Sequence, residues 1–331
     1  MLIKQSTAVQ LQHYFILKKW IANDEKITGV SKAGDGNMNC VLRIQTDTRS
    51  FICKQSNDYV EKYPQIPAPK NRVQTEAAFY QKILINDKIQ SYMPKLLGLD
   101  EQNNIMIIED LGEIKDFSSL YDLNSTLSEF ELRSITNYLN QLHQSFTKVQ
   151  VDDELNNLEL RELNYDHIFD YPFKDHNGFD LDAIQLGLQA ISIEFKNDLT
   201  LKLIINKLGA KYLESGKTLL HGDFYPGSWL NCNGQIKIID PEFCYFGYAE
   251  FDLAVLIAHL HLTKHNGHAI EFVKKAYLNY SFLNHKLLNG FVGTEIVRRL
   301  IGLAQLPLKM QLSDKIQLLE KAKQLLLTYD D

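Results

Sequence analysis

Residues 219–243 read LLHGDFYPGSWLNCNGQIKIIDPEF, and the order of features inside this stretch decides the fold class. An apolar pair, Leu219-Leu220, runs into His221-Gly222-Asp223, and an irregular loop follows through Pro226 and Gly227. Asn233-Gly234 then turns the chain into a second apolar run, 236–239, which stops at Asp240-Pro241-Glu242, seventeen residues after Asp223. An Asn-Gly pair between short apolar runs is a hairpin signal. Phosphoryl transfer needs one carboxylate to orient or deprotonate an attacking hydroxyl, and others to hold the Mg²⁺ that bridges nucleotide phosphates. Asp223 suits the first task, as catalytic residue in contact with the acceptor, and Asp240 with Glu242 suits the second. Pro241 biases Asp240 toward extended backbone, which would let both carboxylates project to one side and share one hard cation.

Outward from this island, which spans 218–246, the texture on either side is helical. Apolar residues recur with a period near 3.6 over 128–147, 181–194, 199–215, 250–262, 268–280 and 293–310. The first third of the chain differs. After an opening helix over 11–22 come short β-type runs at 27–31, 39–46 and 50–55, the last two joined by the polar turn Asp47-Thr48-Arg49. YPQIPAPKN, 63–71, carries three of the eight prolines and is expected to be an exposed loop. A helix over 72–84 places Glu76 beside its apolar face. A strand over 105–108 ends abruptly at Glu109-Asp110-Leu111-Gly112, and the domain boundary is set there. The reading is an α+β chain of two lobes in the layout of protein-kinase-like folds: a β-rich nucleotide-binding lobe, 1–111, and a mainly helical lobe, 112–331, with the catalytic loop and acceptor site.

Composition agrees with a folded chain and excludes other classes. Of 331 residues, 45% are hydrophobic and 23% charged, which rules out disorder as the main state. Thirty-five Lys and Arg against 41 Asp and Glu give a net charge of −6, without the basic excess that a phosphate polymer demands, so no nucleic-acid partner is expected. Cys40, Cys53, Cys232 and Cys244 form no CxxC pair and read as reduced thiols. The N-terminal twenty residues have no uninterrupted apolar core for a signal peptide. The most apolar later stretch, 251–262, contains Asp252, His259 and His261 and is too short to span a bilayer. A cytoplasmic protein with no membrane partner is the expectation.

HGD followed by a metal-binding Asp resembles the aminoglycoside phosphotransferase and choline kinase group of small-molecule kinases. Most of that group has Asn five residues after the catalytic Asp, where this chain has Ser228. The longer match is to 5-methylthioribose kinases, which place Ser there within HGDxxxGS and continue to DPEF, as Asp240-Pro241-Glu242-Phe243 does here. Where those kinases usually show Leu-His-Thr or similar in the catalytic loop, this chain has Phe224-Tyr225-Pro226.

The resemblance implies further roles. Gly34-Asp35-Gly36-Asn37-Met38-Asn39 looks like the GDGNxN loop over the nucleotide phosphates, with Gly34, Gly36 and Asn37 as contacts. Lys54 looks like the strand lysine that reaches those phosphates and pairs with a helix carboxylate, Glu76, with Glu61 as the rival. Glu109, Asp110 and Leu111 resemble the hinge that meets adenine, and Ser228 joins the nucleotide-binding set. Asp252 and His221 read as supports of the catalytic loop. Val297-Arg298-Arg299-Leu300-Ile301-Gly302-Leu303-Ala304 looks like the RRxxGxA stretch that supplies arginine to the substrate, through Arg298 or Arg299. The implied activity is ATP- and Mg²⁺-dependent phosphorylation of a small-molecule hydroxyl, 5-methylthioribose first, in methionine salvage. An aminoglycoside, an amino alcohol or another sugar is the alternative acceptor, a catalytically silent nucleotide-binding protein is the alternative class, and a homodimer is left open.

Overall fold

The computed structural model describes residues 1–34, 38–122, 125–151, 155–265 and 267–329. The chain divides into two units, one formed by Met1–Ile114 with Lys237–Phe243 and the other by Lys115–Ile236 with Cys244–Asp331. Asp35, Gly36 and Asn37 of the glycine loop lie outside the described residues.

In the first unit helix α1 (Ala8–Leu17) is followed by strands β1 (Ile27–Lys32), β2 (Cys40–Thr46), β3 (Ser50–Gln55), β4 (Tyr59–Val60) and β5 (Tyr63–Pro67). Helices α2 (Arg72–Ile83) and α3 (Asp87–Gln90) come next, then β6 (Leu96–Asp100) and β7 (Ile105–Glu109). Five strands form one antiparallel sheet in the order β1-β2-β3-β7-β6. Side chains of a strand alternate between faces. Phe51 and Cys53 therefore enter the core with Ile105, Ile107 and Phe15 of α1, whose ring meets that of Phe51 at 5.3 Å. Truncating Phe51 to Ala would cost about 3–5 kcal/mol. The same alternation sends Lys54, paired in register with Met106 of β7, to the opposite face.

Three local expectations are corrected here. The opening helix lies three to five residues earlier than 11–22, because Thr7 and Gln10 form a capping box and Lys19, at φ +58°, ends it. The proline-rich segment is not an open loop: its 63–67 portion is β5, paired with β4. A two-stranded edge ribbon tolerates proline because the absent N–H faces no partner. Segment 237–243, expected in the helical lobe, groups with the sheet unit, where Ile238 N donates to Tyr92 O (2.7 Å) and Lys237 Nζ to Ser91 O (2.8 Å).

The second unit contains α4 (Glu129–Ser145), α5 (Leu158–Tyr165), α6 (Leu188–Asn197), α7 (Leu199–Leu213), β8 (Thr218–Leu220) and β9 (Trp229–Cys232). After β10 (Gln235–Ile238), within which the chain passes from one unit to the other, come β11 (Tyr245–Gly247), α8 (Glu250–Leu262), α9 (Gly267–Ala276), α10 (His285–Ile301) and α11 (Leu312–Leu327). Buried α8 packs against α10, and β8 pairs antiparallel with β11. The helix expected over 293–310 instead starts at His285, capped by Asn284, and ends at Gly302, whose N–H closes on Arg298 O (3.0 Å). Gly187 at φ +91° likewise delays the helix expected from 181 until Leu188. Among the described residues no helix is long and apolar enough to cross a membrane.

Candidate active site

Each unit contributes its own constellation. In the first, β3 delivers Lys54 to a buried Glu76 on α2, with Nζ donating to Oε1 at 2.7 Å, and Lys54 also pairs with Asp240. Glu61 pairs instead with Lys4. Burial alone would lower the Lys54 pKa, but Asp240 and then Glu76 raise it, so the ammonium is firmly charged. Burial pushes Glu76 up to about 7, against the pull of Lys54, and pushes Glu242 up to about 8, with Glu76 adding to the effect.

Asp240 departs from the expected extended backbone: it sits at φ +61°, in the left-handed region. Pro241 disfavours the right-handed helical conformation at 240, and Asp tolerates the left-handed one better than most residues, at a strain of about 1–3 kcal/mol. Glu242, in the single helical turn Pro241–Phe243, accepts from Asn39 Nδ2 at 2.8 Å. Asn39 in turn accepts from Arg72 Nε (3.2 Å) and Nη2 (3.0 Å), and the fully buried Arg72 guanidinium lies 3.9 Å from Glu242. This bracket was missed in the sequence. Arg72 opens the amphipathic helix RVQTEAAFYQKI, where the sequence alone reads it as an ordinary polar position.

Three carboxylates, Glu76, Asp240 and Glu242, thus face two cations, Lys54 and Arg72, and Glu76 Oε2 is buried with no hydrogen-bond partner among the described residues. Among those residues no group of three or more His, Cys, Asp or Glu forms a complete metal cage. Two neighbouring carboxylates, with water and phosphate oxygens completing the cation's shell, are the pattern Mg²⁺ uses. Asp240 and Glu242 fit that cation.

The side chains of Glu109 and Asp110, expected at a hinge, are committed within the sheet unit. Lys95 N donates to Glu109 Oε2 (3.2 Å). Arg43 holds Asp110 bidentately at 2.8 and 3.1 Å, and Gly112 N donates to it at 2.9 Å. Leu111 is half-buried and Gly34 stands at φ +70°.

In the second unit β8 feeds His221 into the loop. Asp252, at the start of α8, accepts from His221 N (2.7 Å) and Gly222 N (2.9 Å), while His143 Nε2 approaches it at 3.2 Å. Gly222, at φ +84°, makes the turn that presents Asp223. Ser228 Oγ donates to the Asp223 carbonyl at 2.9 Å, closing the loop, and Phe224 stacks on Tyr138 at 5.5 Å. Burial raises the Asp223 pKa, while Arg299 and then Arg298 oppose it. Arg299 Nη2 reaches within 3.6 Å of Asp223 Oδ1, whereas Arg298 pairs with Glu295 at 3.3 Å. Glu295 also accepts from Arg299 Nε at 2.7 Å, and Tyr225 lies with its ring 5.0 Å from the Arg299 guanidinium. Glu295 went unassigned in the sequence, although its place three and four residues before the arginines was a legible pairing signal.

No protein-family model matches the chain. It is similar to the methylthioribose kinase of Bacillus cereus strain B4264, 27% identical over an alignment of 334 residues covering 88% of this chain and 84% of that protein. The methylthioribose kinase of Exiguobacterium sibiricum is 26% identical over 349 residues, covering 92% and 87%. Among solved structures, the choline kinase LicA of Streptococcus pneumoniae in complex with AMP matches with a TM-score of 0.55 at 14% identity, over 96% of this chain and 97% of that one. The spectinomycin phosphotransferase APH(9)-Ia, in complex with ADP and spectinomycin, matches with a TM-score of 0.54 at 14% identity, over 98% and 99%. The fold is therefore the protein-kinase-like α+β fold of these phosphotransferases, and the resemblance to methylthioribose kinases extends along most of the chain.

Proposed function

We propose that this protein is an ATP- and Mg²⁺-dependent kinase that transfers the γ-phosphoryl group to a sugar hydroxyl, with 5-methylthioribose as acceptor. The observation that carries the reading is the Asp223 loop. Asp252 holds its backbone through two amides, a buried arginine faces its carboxylate, and the surrounding chain is similar to methylthioribose kinases over most of its length. In the reaction the acceptor hydroxyl passes its proton toward Asp223 as its oxygen bonds to the γ-phosphorus, and the bond to the ADP oxygen breaks. Lys54, held by Glu76, steadies the nucleotide phosphates, and Asp240 with Glu242 would hold the Mg²⁺, which neutralises phosphate charge when bound. The glycine loop from Gly34 and the backbone of Glu109–Leu111 would complete the nucleotide site, while Arg299 offsets charge on the acceptor side.

A second reading keeps the chemistry and changes the acceptor. Tyr225 stands in the loop against Arg299, where methylthioribose kinases usually carry a smaller or differently polar residue, and this favours an acceptor of another shape. Mg²⁺-dependent ADP formation with methylthioribose, aminoglycosides and choline decides between the two. Turnover of methylthioribose above basal ATPase supports the first reading. Turnover of another acceptor alone replaces it, and ATP binding without turnover of any leaves a silent nucleotide-binding protein.

A further inference from the structure

We propose that Glu295 is the positioning residue of the acceptor site: it aims the Arg299 guanidinium toward Asp223, and His259 and Tyr121 fix Glu295 in turn. The proposal rests on the kinase reading above and deepens it.

Side chains three and four residues apart on a helix are neighbours, so one carboxylate at 295 meets both arginines of α10. Oε1 takes Arg299 Nε at 2.7 Å and Oε2 lies 3.3 Å from Arg298 Nη1. An arginine held through Nε keeps the far end of its fork for another partner. The Nη2 of Arg299 is that end: it is buried, has no hydrogen bond among the described residues, and stands 3.6 Å from Asp223. The Tyr225 ring limits tilting of the guanidinium plane. A buried donor without a partner is costly unless a ligand supplies one, and an acceptor oxygen gaining negative charge beside Asp223 would do so.

On its other side, Glu295 Oε1 lies 3.1 Å from His259 Nε2, and His259 Nδ1 lies 2.7 Å from the Tyr121 hydroxyl. An ionised carboxylate only accepts, so Nε2 bears the proton, Nδ1 accepts, and the Tyr121 O–H donates. All three side chains are buried. His259 stands seven residues after Asp252 on α8, which puts the two on one helix face. That face holds the backbone of the Asp223 loop through Asp252 and the orientation of Arg299 through His259 and Glu295, so one rigid element sets both groups.

The test uses the acceptor identified by turnover of the wild-type protein. Glu295→Gln keeps the shape and removes the charge. It should lower kcat/KM for the acceptor by about 10–100-fold with KM for ATP unchanged. Because Glu295 acts through Arg299, the double variant with Arg299→Met should be no worse than Arg299→Met alone. Tyr121→Phe, which deletes one hydroxyl, should shift the same parameter in the same direction by a smaller factor, and it carries the kinetic test should Glu295→Gln fail to fold. ¹⁵N-imidazole spectra should show His259 as the neutral Nε2–H tautomer. That measurement needs no acceptor, so it judges the geometry even where the kinase reading fails. A folded Glu295→Gln with wild-type kcat/KM, additive losses in the double variant, losses that track melting temperature and ATP KM alike, or an Nδ1–H tautomer would each overturn the proposal.

Discussion

Arg299 Nη2 and Asp223 Oδ1 stand 3.6 Å apart, close enough for charge attraction and too far for a hydrogen bond. The carboxylate therefore spends no lone pair on the guanidinium, which offsets part of its charge, and on the proposed kinase reading those lone pairs are left for an incoming hydroxyl. A tighter pair would have made Asp223 a poorer proton acceptor. Burial raises its pKa and the two arginines hold that rise in check.

Asp223→Asn keeps the volume and removes the proton acceptor. Steady-state kinetics should show kcat reduced by about 10²–10⁴-fold, and calorimetric titration should find ADP affinity nearly unchanged. Loss of nucleotide affinity with kcat intact would remove Asp223 from the acceptor side.

Arg298 and Arg299 should separate when each is changed to Met. Arg299→Met is expected to depress acceptor use strongly and leave nucleotide binding alone. Arg298→Met breaks a buried ion pair with Glu295 and should act mainly on the melting temperature. Equal effects of both variants on acceptor KM and stability would contradict this division.

The pH dependence has a defined sign. Burial raises the Glu242 pKa to about 8 from an ordinary value of 4.5. The folded state thus binds a proton that the unfolded state has already released over that interval, and stability falls as pH rises from about 4.5 through 8. Mg²⁺ favours the ionised carboxylate and should counter the fall. Melting temperatures from pH 5 to 8.5, with and without Mg²⁺·ADP, should diverge as pH rises, and Glu242→Gln should flatten the metal-free slope. A slope unaffected by Glu242→Gln sinks the assignment.

Asp252→Asn leaves one acceptor oxygen where the His221 and Gly222 amides need two. Denaturant unfolding should show a loss of about 1–3 kcal/mol, and kcat should fall as the Asp223 loop loosens. Unchanged unfolding together with unchanged kcat would show that the loop is held elsewhere.

Much of this architecture was legible because local signals agreed. The strand over 50–55 and the helix over 250–262 occur with the bounds their apolar runs give, although α8 is buried on nearly every face rather than along one stripe. Expectations failed where one residue overrode a pattern. Gly302 stops α10 inside an apolar run, Gly187 delays α6, and Asp240 adopts a backbone conformation that pattern reading does not anticipate. In the candidate site, motif residues announced themselves, while their supports did not. Arg72 and Glu295 are charged residues on helices, and only three-dimensional packing distinguishes a buried bracket from a solvated face.

The membership of Lys237–Phe243 in the sheet unit has a consequence for synthesis of the chain. Asp240 and Glu242 leave the ribosome only after all of Lys115–Ile236 has been made, so the nascent first unit waits with Lys54, Glu76 and Arg72 unmatched by their later partners. A fragment cut after Ile114 would carry Lys54, Glu76 and Arg72 and lack both carboxylates of 240 and 242. On the proposed kinase reading, the nucleotide and cation residues are thus encoded discontinuously, and bringing them together waits on translation of the intervening helices.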